Sequence, residues 1–144
     1  EKKHSLYLLD RNSFDIIREH ALPDNIEGKV FDLLENQANP DEIYFAEENI
    51  LHKVLDDLSI HPIHHSLGRI ERIVRGETNE IIIVGESHIE MINNVTGDWE
   101  VWWDGGNDKS KQVFRHLGYT PVAYHQGSLL IADAFELKSF TPKR

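Results

Sequence analysis

Ile81-Ile82-Ile83-Val84-Gly85-Glu86-Ser87-His88-Ile89-Glu90-Met91-Ile92 reads as two short β-type runs broken by turn-forming residues. β-Branched residues crowd a helical turn but suit a pleated strand, so their density here favours extended backbone. The same texture spreads outward. Ile70 to Arg75 precedes the stretch and Trp99 to Trp103 follows it, with Gly76 to Asn79 and Asn93 to Gly97 as punctuation. Short strands separated by such turns predict consecutive antiparallel pairing. Alternation within the last run places Trp99, Val101 and Trp103 on one face, and Glu100 and Trp102 on the other.

The region has an unusual charge balance. Between Arg75 and Lys109 there is no lysine or arginine, while Glu77, Glu80, Glu86, Glu90, Asp98, Glu100, Asp104 and Asp108 all fall there, with all three tryptophans. Like charges held close together repel and cost stability. An acidic segment that also carries large aromatics has the composition of a surface for a basic partner. Alternation marks Trp102 as the aromatic anchor, ringed by Glu86, Glu90, Glu100, Asp104 and Asp108.

Towards the N-terminus the reading is mostly helical. His4 to Leu9 forms a short strand candidate, with Leu6, Tyr7, Leu8 and Leu9 as its apolar residues. Asn12 and Ser13 then offer an N-cap before Phe14, Ile16 and Ile17, and Pro23 ends that helix. Asp24 and Glu27 match a capping box, followed by Ile26, Val30, Leu33 and Leu34 at helical spacing. Asn39-Pro40-Asp41-Glu42 signals another helix start, with Tyr44, Leu51, Val54, Leu55 and Leu58 as its apolar positions. Ile43-Tyr44-Phe45 could alternatively be a brief strand, with the helix beginning at Glu47. This helix would give a second acidic surface at Asp41, Glu42, Glu47, Glu48, Asp56 and Asp57. Further on, Lys109 to Leu117 predicts a helix ended by Gly118. Thr120 to Tyr124 and Ser128 to Ala132 predict a hairpin about Gln126-Gly127, and the tail after Phe140 is expected to fray. The expected fold is therefore α+β: N-terminal helices packed on one curved, mainly antiparallel sheet, as a single domain over 1–144.

Composition limits the function. The 144 residues suffice for one hydrophobic core, and a net charge of −10 argues against a phosphate-binding face or docking on anionic membrane. The chain has no cysteine, which removes disulfides, thiolate chemistry and Cys-ligated zinc. Apolar runs such as Leu6 to Leu9 and Ile81 to Val84 fall far short of the roughly 18 residues a membrane span needs. Nothing near Glu1 reads as a secretory signal, so a cytoplasmic location is expected.

Motifs for catalysis or metal binding are weak. His61, His64 and His65 cluster around Pro62, which suggests a polar connector, although contacts from elsewhere could complete a metal site. Ser87 and His88 are adjacent, and neighbours on a strand point to opposite faces. Asp104-Gly105-Gly106-Asn107-Asp108 lacks the alternating ligands of an EF-hand loop and reads as a turn. No catalytic residue, metal or cofactor is expected.

One resemblance bears on an enzymatic alternative. Leu6-Tyr7-Leu8-Leu9-Asp10-Arg11-Asn12 resembles the opening strand of PIN-domain ribonucleases. Gly127-Ser128-Leu129-Leu130-Ile131-Ala132-Asp133-Ala134-Phe135 is similar to a later strand of that family. The resemblance implies a parallel sheet and a metal-dependent ribonuclease, with Asp10, Asp133 and Glu47 or Glu48 as metal carboxylates. The leading expectation is different: a non-enzymatic acidic protein that binds a basic protein partner. Its most economical form is a bacterial immunity protein or antitoxin that occludes the active site of a nuclease toxin. An acidic mimic of DNA would share the same charge logic.

Overall fold

A computed structural model describes residues 5–22, 30–35, 43–55, 57, 59–78, 80–93, 95–113, 121–133 and 136–142. The expected α+β architecture is overturned: the described residues form thirteen strands and one short 3-10 turn at Lys109–Lys111, with no α-helix among them. Strands β1 (Ser5–Leu9) and β2 (Ile16–Ala21) pair as a first sheet. The second contains β3 (Val30–Glu35), β4 (Ile43–Glu47), β5 (Ile50–Val54) and β6 (Ile60–His65). The third contains β7 (Ile70–Arg75), β8 (Glu80–Gly85), β9 (His88–Asn93) and β10 (Trp99–Asp104). The fourth is β11 (Val122–His125), β12 (Ser128–Asp133) and β13 (Glu136–Phe140). Each sheet is a meander whose neighbouring strands run antiparallel.

The sheets pack face against face in chain order. Ile81 and Ile83 join Ile70, Ile73 and Ile92 in a core shared with Tyr44, Ala46 and Leu51 of the second sheet. Ile82, Val84 and Ile89 point the other way, onto Val113 and onto Leu129 and Ile131 of the fourth sheet. Successive residues of one strand thus fill two different cores, which is why the run from Ile81 to Val84 has no polar alternation. The second sheet repeats the device. Tyr44 and Ala46 face the third sheet, while Phe45 packs with Leu22, Val54, Leu6 and Ile60 towards the first. Strand β7 lies inside, against β3, β4 and β11, which leaves β10 at the outer edge of its sheet.

The predicted helices failed for local reasons. Around Asn12 and Ser13, both backbone N–H groups donate to Asp10 Oδ1 at 2.9 Å, and Phe14 takes a left-handed φ of 60°. The cap-like residues therefore build a hairpin turn, because side chains that cap helices stabilise Asx turns equally well. The helix expected from Asn39 becomes a β4–β5 hairpin, turned by Glu48 at φ 48°. Of the alternative reading, the strand at Ile43-Tyr44-Phe45 is observed but the helix from Glu47 is not, since Glu47 ends β4 and Ile50–Val54 is the next strand. The acidic helical surface from Asp41 to Asp57 accordingly does not form. Its start at 39–42, together with Asp56, and the capping box at Asp24 and Glu27 lie outside the described residues. So do 114–118 of the helix expected after Lys109. The predicted hairpin at Gln126-Gly127 is present, with left-handed φ values of 47° and 81° at those two positions. Pro62 sits inside β6, a sheet edge where its missing N–H is tolerated.

The two-faced strand β8 is where truncation should cost most. Ile83→Ala, at a position with no exposure, should lower unfolding free energy by about 3–4 kcal/mol in urea titration. The equivalent change at exposed Leu8 should cost well under about 1 kcal/mol.

Candidate protein-interaction surface

Strand β9 carries His88 and Glu90 two residues apart and so on one face, where they meet His64 and Ser66 at the end of β6. Glu90 is completely buried, and His88 and Ser66 nearly so. A buried carboxylate is tolerable only if its oxygens are satisfied. The Ser66 hydroxyl donates to Glu90 Oε2, and His64 Nε2 lies 3.1 Å from Oε1. Ser66 Oγ also lies 2.7 Å from His88 Nε2, so the hydroxyl links the imidazole to the carboxylate. His88 is held in place sterically as well. A Cβ on Gly85 would stand 1.8 Å from His88 Cε1, so only glycine lets the ring lie flat there. Burial depresses the His88 pKa below 6.5, although Glu90 and Asp104 pull it the other way.

This polar knot supports an exposed aromatic. The His64 ring packs at 5.2 Å against Trp99, the first residue of β10. Trp99 is 53% exposed and Val101 40% exposed, on the face of β10 that looks towards the second sheet. Glu100, Asp98 and Asp104 flank them, all exposed.

Uniform alternation along β10 does not hold. Val101 pairs with Glu90 but Trp103 pairs with Ile89, so a β-bulge falls at Trp102. One extra residue turns the rest of the strand over. Trp103 therefore leaves the face of Trp99 and Val101 and packs on the core between the third and fourth sheets, beside Trp102. Trp102 is half-buried, and its indole N–H donates to Glu100 Oε1 at 2.6 Å.

The structure distributes the other expected contact residues over distinct settings. Glu90 lies in the interior and adds no charge to the surface. Glu86 is exposed in the β8–β9 turn, accepting from Gln112 Nε2 at 2.6 Å. With Asp108, Ser87, Asn107 and Lys109 it lines a small polar hollow of about 210 Å³. Asp104 accepts the Gly106 N–H at 2.8 Å, and Asp108 stands 4.0 Å from Lys111 Nζ. Alternation placed Trp99 and Val101 together but marked Trp102, on the other face, as the anchor; the bulge, which no sequence signal marks, moves only Trp103 off their face.

The remaining sequence candidates are dispersed. His61 bonds Ser59, His64 turns inward to Glu90, and His65 is exposed, so the histidine cluster does not converge. Among the described residues no group of three or more His, Asp or Glu side chains is arranged to hold a metal ion. Asp10 is engaged in its own turn, Glu47 bonds buried His52 at 3.0 Å, and Asp133 ends a strand of a different sheet from either. All described strand pairs are antiparallel, so the parallel sheet implied by the ribonuclease resemblance is not what forms.

Two outcomes check the polar knot. Ser66→Ala should cost about 1–3 kcal/mol in denaturant unfolding, because it strips a bond from a carboxylate that stays buried. His88 has a lowered folded-state pKa, so its contribution is complete above 6.5 and declines as pH falls below that value. Unfolding midpoints measured from about pH 8 to about pH 5 should drop less for His88→Gln than for the native chain.

No protein-family model matches the chain, and no curated protein matches its sequence. Among solved structures it is similar to a virginiamycin B lyase from Staphylococcus aureus, with a TM-score of 0.58 and 15% identity. That likeness covers 90% of this chain and 46% of the lyase. It is also similar to the N-terminal domain of Nup159, with a TM-score of 0.51 and 10% identity, over 88% of this chain and 33% of that one. The chain thus spans less than half the length of either. Among the described residues no helix is long and apolar enough to cross a membrane. At these identities the likeness concerns architecture, and the shared feature is a series of antiparallel sheets packed face to face about their inner strands: the fold is β-propeller-like.

Proposed function

We propose that this chain is a binding module that engages a basic protein partner along the outer strand β10, without catalytic chemistry of its own. The observation that carries this reading is exposed Trp99, Val101 and Asp104 on one face of edge strand β10, with exposed Asp98 just before the strand and exposed Glu100 on its other face. An apolar centre with an acidic rim suits a partner that presents lysine or arginine around an apolar contact. The histidine and serine groups nearby support this assignment, since they are spent on satisfying interior Glu90 and do not open onto a reaction site. The S. aureus neighbour is a lyase by name, but its likeness extends only to fold.

The specific form of the proposal is neutralisation of a basic nuclease toxin. Phosphate-binding sites are positively charged, so an acidic edge can occupy one in place of nucleic acid. The test is co-purification with any basic protein encoded beside this chain, followed by relief of that protein's toxicity, if it is toxic, on co-expression. Failure of any basic neighbour to bind would remove the toxin form. Trp99→Ala should weaken a bound complex by about 2 kcal/mol, mainly through faster dissociation, with the fold unchanged by circular dichroism. Glu100→Gln with Asp104→Asn should instead slow association at low salt and matter less as ionic strength rises. Equal affinities for native and Trp99→Ala proteins would locate the contact elsewhere.

A further inference from the structure

Glu90 is a single buried carboxylate shared by two imidazoles. His64 Nε2 lies 3.1 Å from its Oε1 and His88 Nε2 lies 3.5 Å from its Oε2, with the Ser66 hydroxyl linking the second pair. This arrangement settles where the protons sit. Ser66 has one hydroxyl proton and gives it to Glu90, so His88 must offer its Nε2–H to the Ser66 oxygen at 2.7 Å. His64 likewise offers its Nε2–H to Oε1. Both rings are then neutral with these contacts satisfied, and each takes up a further proton only at Nδ1.

Charge counting limits what the knot tolerates. The one negative charge of Glu90 balances one imidazolium, and a second leaves a net positive charge in the interior, which is costly. The other carboxylates that face His88 do not cover it. Asp104, opposite His88 on β10, is exposed to solvent, and Glu71 of β7 is held by Arg69 Nη2 at 2.6 Å. Burial accordingly keeps the His88 pKa below 6.5.

The two rings differ in their room to move. His88 is walled in: a Cβ on Gly85 would meet its Cε1 at 1.8 Å, and one on Gly68 at 3.3 Å. His64 lies near the end of edge strand β6, against the exposed Trp99 ring. An excess positive charge is therefore relieved by His64 turning out to water, and Trp99 then loses the ring it rests on.

We propose that this knot is an acid-operated switch on Trp99: when both histidines are charged, His64 leaves Glu90 and Trp99 loses its fixed orientation. At neutral pH the indole is held ready on β10, and in acid it is freed. As a control of partner binding this rests on the proposed β10 contact; as a switch on Trp99 it stands by itself.

The test needs no partner. In isotope-labelled protein, NMR follows the indole N–H signals of the three tryptophans from about pH 7.5 to about pH 5.5, with Trp99 assigned by its loss in Trp99→Phe. The Trp99 order parameter should fall from about 0.8 to below about 0.6, while Trp102 and Trp103 hold theirs and circular dichroism stays constant. His88→Gln keeps an N–H for Ser66 but removes one of the two charges, so its Trp99 should stay ordered at both pH values. His64→Gln, which removes the ring against Trp99, should leave Trp99 mobile already at about pH 7.5. The native titration is read without any substitution, so it decides the matter even if a variant fails to fold. The proposal is overturned if native Trp99 stays ordered in acid, if it loosens equally in His88→Gln, or if all three indoles loosen together. Failure of any basic protein to co-purify would remove the partner reading and leave the Trp99 result intact.

Discussion

The third sheet is buried on both of its faces, and the rest of the molecule depends on that constraint. Ile81 and Ile83 enter one core and Ile82 and Val84 the other, so a single strand of isoleucines and valine ties three sheets together. Burying such a side chain contributes about 1.5–3 kcal/mol. The four adjacent residues of β8 are therefore a large share of the attraction that holds separate small sheets in one body. Neither neighbouring sheet buries its own inner face without this one. The hairpins around it can vary in length and composition provided that their inward residues still meet β8 and β7.

A polar knot at the outer side of the same interface complicates this simple adhesion. Glu90 is as buried as the isoleucines, and a charge in that position requires partners. Ser66, His64 and His88 supply them from two sheets, so the carboxylate fixes how β6 and β9 meet with a directionality that apolar contacts lack. Gly85 is the steric counterpart, since a side chain there would occupy the place of the His88 ring. The link from this knot to function runs through His64, against which Trp99 packs. An exposed tryptophan held by a buried network is presented in a fixed orientation, which lowers the entropy cost of using it in binding.

The bulge at Trp102 separates two surfaces that a regular strand would have merged. Before it, Trp99 and Val101 face outward beside acids; after it, Trp103 turns to the core shared with the fourth sheet. One strand therefore has an acidic, exposed aromatic face at one end and one wall of an apolar cleft at the other. The bulge also twists an edge strand, a feature that discourages uncontrolled strand pairing at an exposed sheet edge.

Local sequence determined the strands from Ile70 to Trp103 and the hairpin at Gln126-Gly127, because β-branched runs, glycine turns and left-handed positions act within a few residues. It also determined the acidity of the region and the absence of thiol chemistry. Of the N-terminal strands, β1 was legible and the start of β4 only as an alternative; the others were not. Asn12 and Ser13 can cap a helix or close a turn, and Ile43 to Ala46 is apolar without a period, since its two faces serve two cores. Only the packing of sheet on sheet selects the strand there. The same holds for the surface. Sequence supplied the tryptophans and the acids, but which tryptophan reaches solvent depended on which face of β10 the fourth sheet's core covers, and whether Glu90 lies outside or inside depended on Ser66 and His64 arriving from another sheet. Propensity and spacing act along the chain, whereas burial and hydrogen-bond satisfaction are set by residues distant in sequence, and those contacts exist only in the folded molecule.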